Sequence, residues 1–297
     1  MTPYRGWGIA CAVLGVLAFS LRPILIKLSY AAFAVSPVTL LFLRMAISLP
    51  FFAAVAWWLR GQSPALSGRD WAATASLGIL GYYFASFLDF VGLQYVGAGV
   101  GRLIMFLYPT LVLLLSFLFL HKRPTWAEIA ALVLSYAGIA LVVAQQGGGT
   151  PGGRLFLFGA ALIFGGALGY AVYLVAGSAM VKRIGSMRFT AYSMLFAPAP
   201  AVLQFILLEP LAALALPGEV WGYVLVLATV STVLPIFLVA EALRRIGASE
   251  FALIGAIGPV SVAMTSAVGL DEPFTWVQAL GGLLVIFGVL LVTLKRS

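Results

Sequence analysis

Long apolar stretches, broken by short runs of Pro, Gly and charge, repeat along the whole chain, and this pattern predicts helices that cross a membrane. Ten are expected, at residues 7–29, 37–59, 70–94, 98–119, 125–144, 154–178, 187–208, 219–241, 248–270 and 274–294. Each holds about the 20 apolar residues needed to span a hydrocarbon core. The first stretch follows Arg5 as a signal peptide would, but it continues through Arg22-Pro23 to Leu28 without a small-residue cleavage site. It therefore reads as a retained span.

The pattern also repeats itself. Gly97, Ala98, Pro109, Thr125, Trp126 and Gly138 recur 150 residues later as Gly247, Ala248, Pro259, Thr275, Trp276 and Gly288, and Gly15 pairs with Gly165. Leu-rich helices match by chance, so the shared Gly, Pro and Trp positions carry the inference. The expected units are 1–144 and 154–297, joined by a Gly-rich linker at 145–153. Five spans per unit is an odd number, so the second unit enters the membrane from the opposite side. The fold class is all-α integral membrane, ten helices in two inverted five-helix repeats, an architecture that places substrate near the midplane between the halves.

Composition agrees and removes other classes. Of 297 residues, 63% are hydrophobic and 9% charged, against roughly 25% charged in soluble domains. The net charge of +8 suggests nucleic acid in isolation, but in so apolar a chain it reads as a topology signal. Twelve of the 17 basic residues fall in alternate connections (Arg5, Arg60, Arg69, Lys122, Arg123, Lys182, Arg183, Arg188, Arg244, Arg245, Lys295, Arg296). The positive-inside rule then places both termini in the cytoplasm of an inner-membrane protein. One cysteine, Cys11, and one histidine, His121, leave little for a disulfide framework or a zinc site. No cofactor and no metal is expected. No H-E-x-x-H, nucleophile elbow or paired intramembrane carboxylates is present, so an enzyme is disfavoured.

Leu43-Arg44-Met45 in span two, Gly97-Ala98, Pro109, Gly138, and in the second half Gly247-Ala248, Pro259, Asp271-Glu272-Pro273 and Gly288 resemble the EamA type of the drug/metabolite transporter superfamily. The resemblance covers essentially the whole chain. The departures are His121-Lys122, where an acidic residue is common, and Ala18-Phe19-Ser20, where a Trp is usual. The nearest resemblance is to bacterial exporters of aromatic and other neutral amino acids. It implies a central cavity lined by spans one, three, four, six, eight and nine.

Charges inside the spans need a partner, water or a function, because each costs about 2.5–3.5 kcal/mol near the bilayer centre. Arg22, Lys27, Arg44, Asp89 and Arg102 all fall in the outer halves of the first four spans, whereas their counterparts are Val172, Gly177, Met194, Val239 and Ala252. The four cations suggest a water-filled outer vestibule. Asp89 either compensates them there or locks helices through Arg44 or Arg102. Tyr82, Ser86 and Asp89 share one face of span three with Gly78, and Tyr170 and Tyr173 share one face of span six with Gly166 and Gly177. At matching depth they could box an apolar side chain. Tyr83 points about 100° away.

Pro23, Pro109, Pro235 and Pro259 interrupt spans one, four, eight and nine, and each frees a carbonyl. Tyr108-Pro109 and Gly258-Pro259 are candidate hinges, with Ser20, Phe106, Ser231 and Thr232 beside the cavity. Trp57, Trp58, Trp71, Trp126 and Trp276 fall at predicted ends as interface anchors. Gly281-Gly282 fits close helix packing, within the chain or in a weak dimer. The expected partners are a small-molecule substrate and the lipid bilayer, not nucleic acid, with the protein a monomer or weak homodimer. The expected function is alternating-access export of neutral, preferably aromatic or bulky apolar amino acids. Export of anionic metabolites such as phosphates or nucleotide sugars is the rival. Asp89 is the only well-embedded acid, so a substrate-driven facilitator is preferred to proton antiport.

Overall fold

In the computed structural model, residues 3–61, 65–120, 125–147, 152–255, 257–272 and 274–295 are described. The linker residues 148–151, the basic positions Lys122, Arg123 and Arg296, and also His121 and Pro273, lie outside them. The helices are α1 Pro3–Ala32, α2 Pro37–Leu59, α3 Gly68–Gly92, α4 Ala98–Phe119 and α5 Trp126–Gly147. In the second half they are α6 Gly153–Ile184, α7 Ser186–Leu208, α8 Gly218–Gly247, α9 (a helical segment at 248–255, then Ile257–Gly269) and α10 Trp276–Lys295. Among the described residues, eight helices are long and apolar enough to cross a membrane, and Ile257–Gly269 and Trp276–Leu291 are shorter apolar helices. No strand occurs among the described residues.

Local chemistry explains most boundaries. Ser36 precedes α2 with Pro37 at its first position, and its hydroxyl accepts from the Thr39 amide at 3.1 Å. Ser67 and Asp70 form a reciprocal capping box at α3. The repeat equivalents Thr125/Glu128 and Thr275/Gln278 do the same for α5 and α10, with backbone-to-side-chain bonds of 2.8–3.4 Å.

Two expected loops are absent. α6 continues to Ile184, and Gly185, at φ 83°, passes the chain directly into α7. Arg244 and Arg245 are helical, and the turn into α9 is made by Gly247 at φ 76°, a conformation that a side chain would strain. Arg188, counted above among loop cations, is buried, donates to the Arg60 carbonyl at 3.1 Å and so caps the end of α2.

The two halves are related by pseudo-two-fold contacts that preserve the 150-residue offset. A Cβ on Gly138 would stand 2.5 Å from the Gly281 carbonyl, and a Cβ on Gly288 would stand 2.7 Å from the carbonyl of Ala131. Position 131 is the counterpart of 281, and 138 that of 288. Likewise Gly15 of α1 meets Leu238 of α8, while Gly165 of α6 meets Leu88 of α3. Backbones approach this closely only at residues without a side chain. Gly281 is thereby buried against α5, and Gly282 faces Leu103 of α4, so this pair is engaged within the chain.

The offset also relates two irregular turns. α3 contains a π-turn at Ile79–Phe84, and α8 contains one at Thr229–Val233. π-turns are rare and concentrate at functional sites. The carbonyls at the α8 turn are satisfied: Thr232 Oγ1 donates to Leu227 O at 2.7 Å and Ser48 Oγ of α2 donates to Ala228 O at 3.0 Å. α4 is also broken, at Phe106-Leu107, just before Pro109. α1, by contrast, runs unbroken past Pro23.

Gly138→Val is expected to lower stability by about 1–3 kcal/mol through overpacking, read as a lower unfolding midpoint of the detergent-purified protein. Gly222→Ala, at a site with open space around it, is expected to leave the midpoint in place; an equal response of the two would contradict the packing assignment.

Candidate functional site

The residues that could bind a ligand gather around α3, which packs against α6 in one half and α2 and α7 on either side. Its π-turn rotates Tyr82 toward α6. There Tyr82 packs against Tyr173, ring centroids 5.0 Å apart, and against Tyr170 at 6.5 Å. Tyr108 of α4 closes on Tyr170 at 5.2 Å, and Phe189 of α7 stacks on Tyr173, also at 5.2 Å. The Tyr173 hydroxyl donates to the Tyr82 hydroxyl at 3.4 Å. This close approach depends on Gly81, where a Cβ would lie 2.5 Å from the Tyr173 side chain. Tyr83 turns away, as its helical position requires, and donates to Gln204 of α7 at 2.9 Å.

Further along α3 the polar face becomes charged. Arg22 of α1 reaches both Asp89 and Ser86 through Nη2, each at 3.2 Å. Asp89 is 7% and Arg44 3% exposed, so protein rather than open water surrounds them. The Arg44 and Arg22 guanidiniums lie 5.2 and 5.6 Å from the centre of the Phe90 ring, within cation–π range. Tyr30 of α1 donates to the Phe90 carbonyl at 2.9 Å. Arg102 of α4 interacts electrostatically with Arg22, Asp89, Tyr108 and Tyr170, which joins the charged group to the tyrosines.

Not every candidate belongs here. Lys27 lies apart, lining a cleft of about 570 Å³ with Tyr30, Ser36 and Gln94. A second cleft, of about 450 Å³, lies between the start of α4 and the ends of α5 and α9, lined by Gly97, Gln145, Ser266 and Glu272. Neither of these clefts is lined by Tyr82, Tyr108, Tyr170, Tyr173, Arg22, Arg44 or Arg102. Phe106 is buried in an apolar cluster with Leu107, Leu111 and Val285. Ser20 bridges α1 and α9 by donating to the carbonyls of Val16 at 2.8 Å and Gly258 at 3.3 Å. A Cβ on Gly258 would stand at ordinary contact distance, 3.5 Å, from Arg102 Nη2, so Arg102 lies beside this turn of α9. Pro235 and Pro259 are buried. Ser231 is buried in the α8 π-turn with its hydroxyl unpaired, and the neighbouring Val233 belongs to a cluster that Tyr82 also packs against. Thus both π-turns border one apolar cluster, with Phe52 and Met194.

Phe90, Tyr30, Phe189 and Ser48 are contributors the apolar pattern does not single out. Phe90 follows Asp89 directly, and one residue of rotation is enough to place its ring under the guanidiniums. The first π-turn carries no proline, whereas the second stands two residues before Pro235.

A helical membrane protein built from two matching halves, with a buried ion cluster and an aromatic box on a π-turned helix, has the form of a secondary transporter. The family model for EamA-like transporters matches the chain twice, over residues 6–144 and 157–294, and the chain belongs to that family. It is 28% identical over 284 residues to the Bacillus subtilis "uncharacterized transporter YcbK", covering 92% of this chain and 88% of that one. It is 31% identical over 215 residues to the same organism's "uncharacterized transporter YyaM", covering 72% and 70%. A transporter of Archaeoglobus fulgidus, also uncharacterized, is 24% identical over 270 residues, covering 91% and 93%. A protein of known crystal structure shares the fold, with a TM-score of 0.66 at 20% identity over 97% of this chain and 96% of that one.

Removing either member of the Arg22–Asp89 pair is expected to destabilise the protein unequally. Asp89→Asn leaves three guanidiniums without a carboxylate and is expected to cost about 3–5 kcal/mol, the range for breaking a buried pair. Arg22→Gln leaves Asp89 with Arg44 and Arg102 and is expected to cost less. Unfolding midpoints in one detergent check the order, and a larger loss for Arg22→Gln would contradict it.

Proposed function

We propose that this transporter carries neutral, preferably aromatic or bulky apolar, amino acids out across the inner membrane, by alternating access between its two halves. The observation that carries the reading is the Tyr82, Tyr108, Tyr170 and Tyr173 box joined to the Arg22–Asp89 group. An amino acid has two parts, and the box offers ring faces for one and the ions offer complementary charge for the other. The paired π-turns and the break in α4 are the elements that would rearrange as the halves rock. The substrate gradient drives the movement, with no cofactor and no catalytic step.

Ten spans with both termini in the cytoplasm complete the reading. Arg5, Arg183 and Arg188 lie at helix ends, pairing with Glu250, Asp70 and the end of α2, and Arg244 and Arg245 both bind Glu241. Trp126 and Trp276 are 84% and 91% exposed at helix starts, as interface anchors are. A second reading, transport of anionic metabolites such as phosphates or nucleotide sugars, draws on the excess of buried arginines over Asp89.

Proteoliposomes loaded with phenylalanine are expected to take up labelled phenylalanine by counterflow, and Tyr82→Ala is expected to weaken apparent affinity about three- to tenfold. No counterflow with any of a panel of amino acids would end the substrate assignment, and inhibition by phosphate but by no amino acid would favour the second reading. For topology, single cysteines are placed in a Cys11→Ala background. An impermeant maleimide is expected to label Ala212→Cys in intact cells and Gly61→Cys only after permeabilisation; the reverse would invert the orientation.

A further inference from the structure

We infer that Arg22, Arg44 and Arg102 form a buried carboxylate-binding site whose resident anion is Asp89, and that its ligand is a carboxylate joined to an apolar or aromatic body. The inference rests on the transport reading above and assigns the atoms that would hold the substrate's acid group.

The site begins with unspent hydrogen-bonding capacity. Arg22 uses Nη2 for both Asp89 and Ser86, and its Nε is buried without a partner. Arg44, only 3% exposed, leaves both Nε and Nη2 unpaired, and Arg102 leaves Nε unpaired. Three guanidiniums on α1, α2 and α4 thus share one carboxylate on α3. A buried unpaired cation is costly. The Phe90 ring beneath Arg22 and Arg44 offers them a cation–π face but no lone pair, which leaves donors for a further acceptor. Guanidinium forks match flat two-oxygen acceptors, and such bonds are strong where water is excluded.

The surroundings select the rest of the ligand. Ser86, which accepts from Arg22, stands four residues after Tyr82 on α3, so an acid held by the arginines would extend its body along the tyrosine faces. A free phosphate has no group for those faces. The site is also single: the counterparts of Arg22, Arg44, Asp89 and Arg102 are Val172, Met194, Val239 and Ala252. The duplicated fold therefore keeps the charge of this site on helices of the first half. Asp89 competes with the ligand for the same donors, so its removal tightens ligand binding even as it weakens the fold.

Thermal unfolding of the detergent-purified full chain tests this without transport. Saturating benzoate is expected to raise the unfolding midpoint by about 2–4 °C, whereas benzamide and benzylamine, of the same shape without the negative charge, are not. Arg44→Gln is expected to abolish the benzoate shift, and Asp89→Asn to enlarge it and to bind benzoate more tightly. Where Asp89→Asn fails to fold, the wild-type ligand series decides. A benzylamine shift without a benzoate shift, no shift with any ligand, or an equal shift from inorganic phosphate would each overturn the assignment. A benzoate shift in a protein that shows no amino-acid counterflow would leave the site standing and remove the amino-acid reading. Counterflow without a benzoate shift would do the opposite.

Discussion

Inside a hydrocarbon layer every polar group must find its partner within the protein, and this requirement shapes the chain more than any single contact. Helices satisfy the backbone where they are regular. Where α8 loosens into a π-turn, Ser48 and Thr232 take up the carbonyls of Ala228 and Leu227. The same requirement explains why helices meet at Gly138, Gly281 and Gly288. Apolar side chains gain little from leaving lipid for protein, so close backbone approach and dispersion hold the helices together.

α3 is where these constraints meet function. One helix carries the π-turn, Tyr82, Ser86, Asp89 and Phe90, and so positions both the aromatic box and the ion group. The glycines of α6 make room for it: a Cβ on Gly166 would stand 2.7 Å from the Ala85 carbonyl. The equivalent contact of α1 with α8 keeps the geometry but has lost the charges, with Val239 standing where Asp89 would be.

Much of this is legible in the sequence, for physical reasons. Hydropathy and Pro/Gly breaks place the helices closely, since membrane spans must be long and apolar. Gly, Pro and Trp reveal the duplication because few other residues can replace them at a close contact, a break or an interface. Phe106 shows where the reading fails. Its place next to the Tyr108-Pro109 hinge suggests a cavity position, but the ring enters the apolar cluster of Leu107, Leu111 and Val285 at the break in α4. Ion pairing is similarly hidden. Arg44 and Arg102 are as near to Asp89 along the chain as Arg22 or nearer, yet Arg22 makes the contact because α1 presents it at the depth of Ser86 and Asp89. Of the charges expected in a water-filled vestibule, Arg44 and Asp89 are instead enclosed by protein, and Lys27 lines a cleft. The first π-turn has no proline to announce it, and only its counterpart before Pro235 leaves a trace in the sequence.

The central claim is that the polar face of α3, between the tyrosines and the ion group, is the path of the transported molecule. Substituted-cysteine modification tests it most directly, with Ser86→Cys in a Cys11→Ala background and a small charged methanethiosulfonate reagent applied during transport. The account predicts that modification stops transport and that excess phenylalanine slows the modification. Complete modification with transport unchanged, or a modification rate indifferent to substrate, would contradict it.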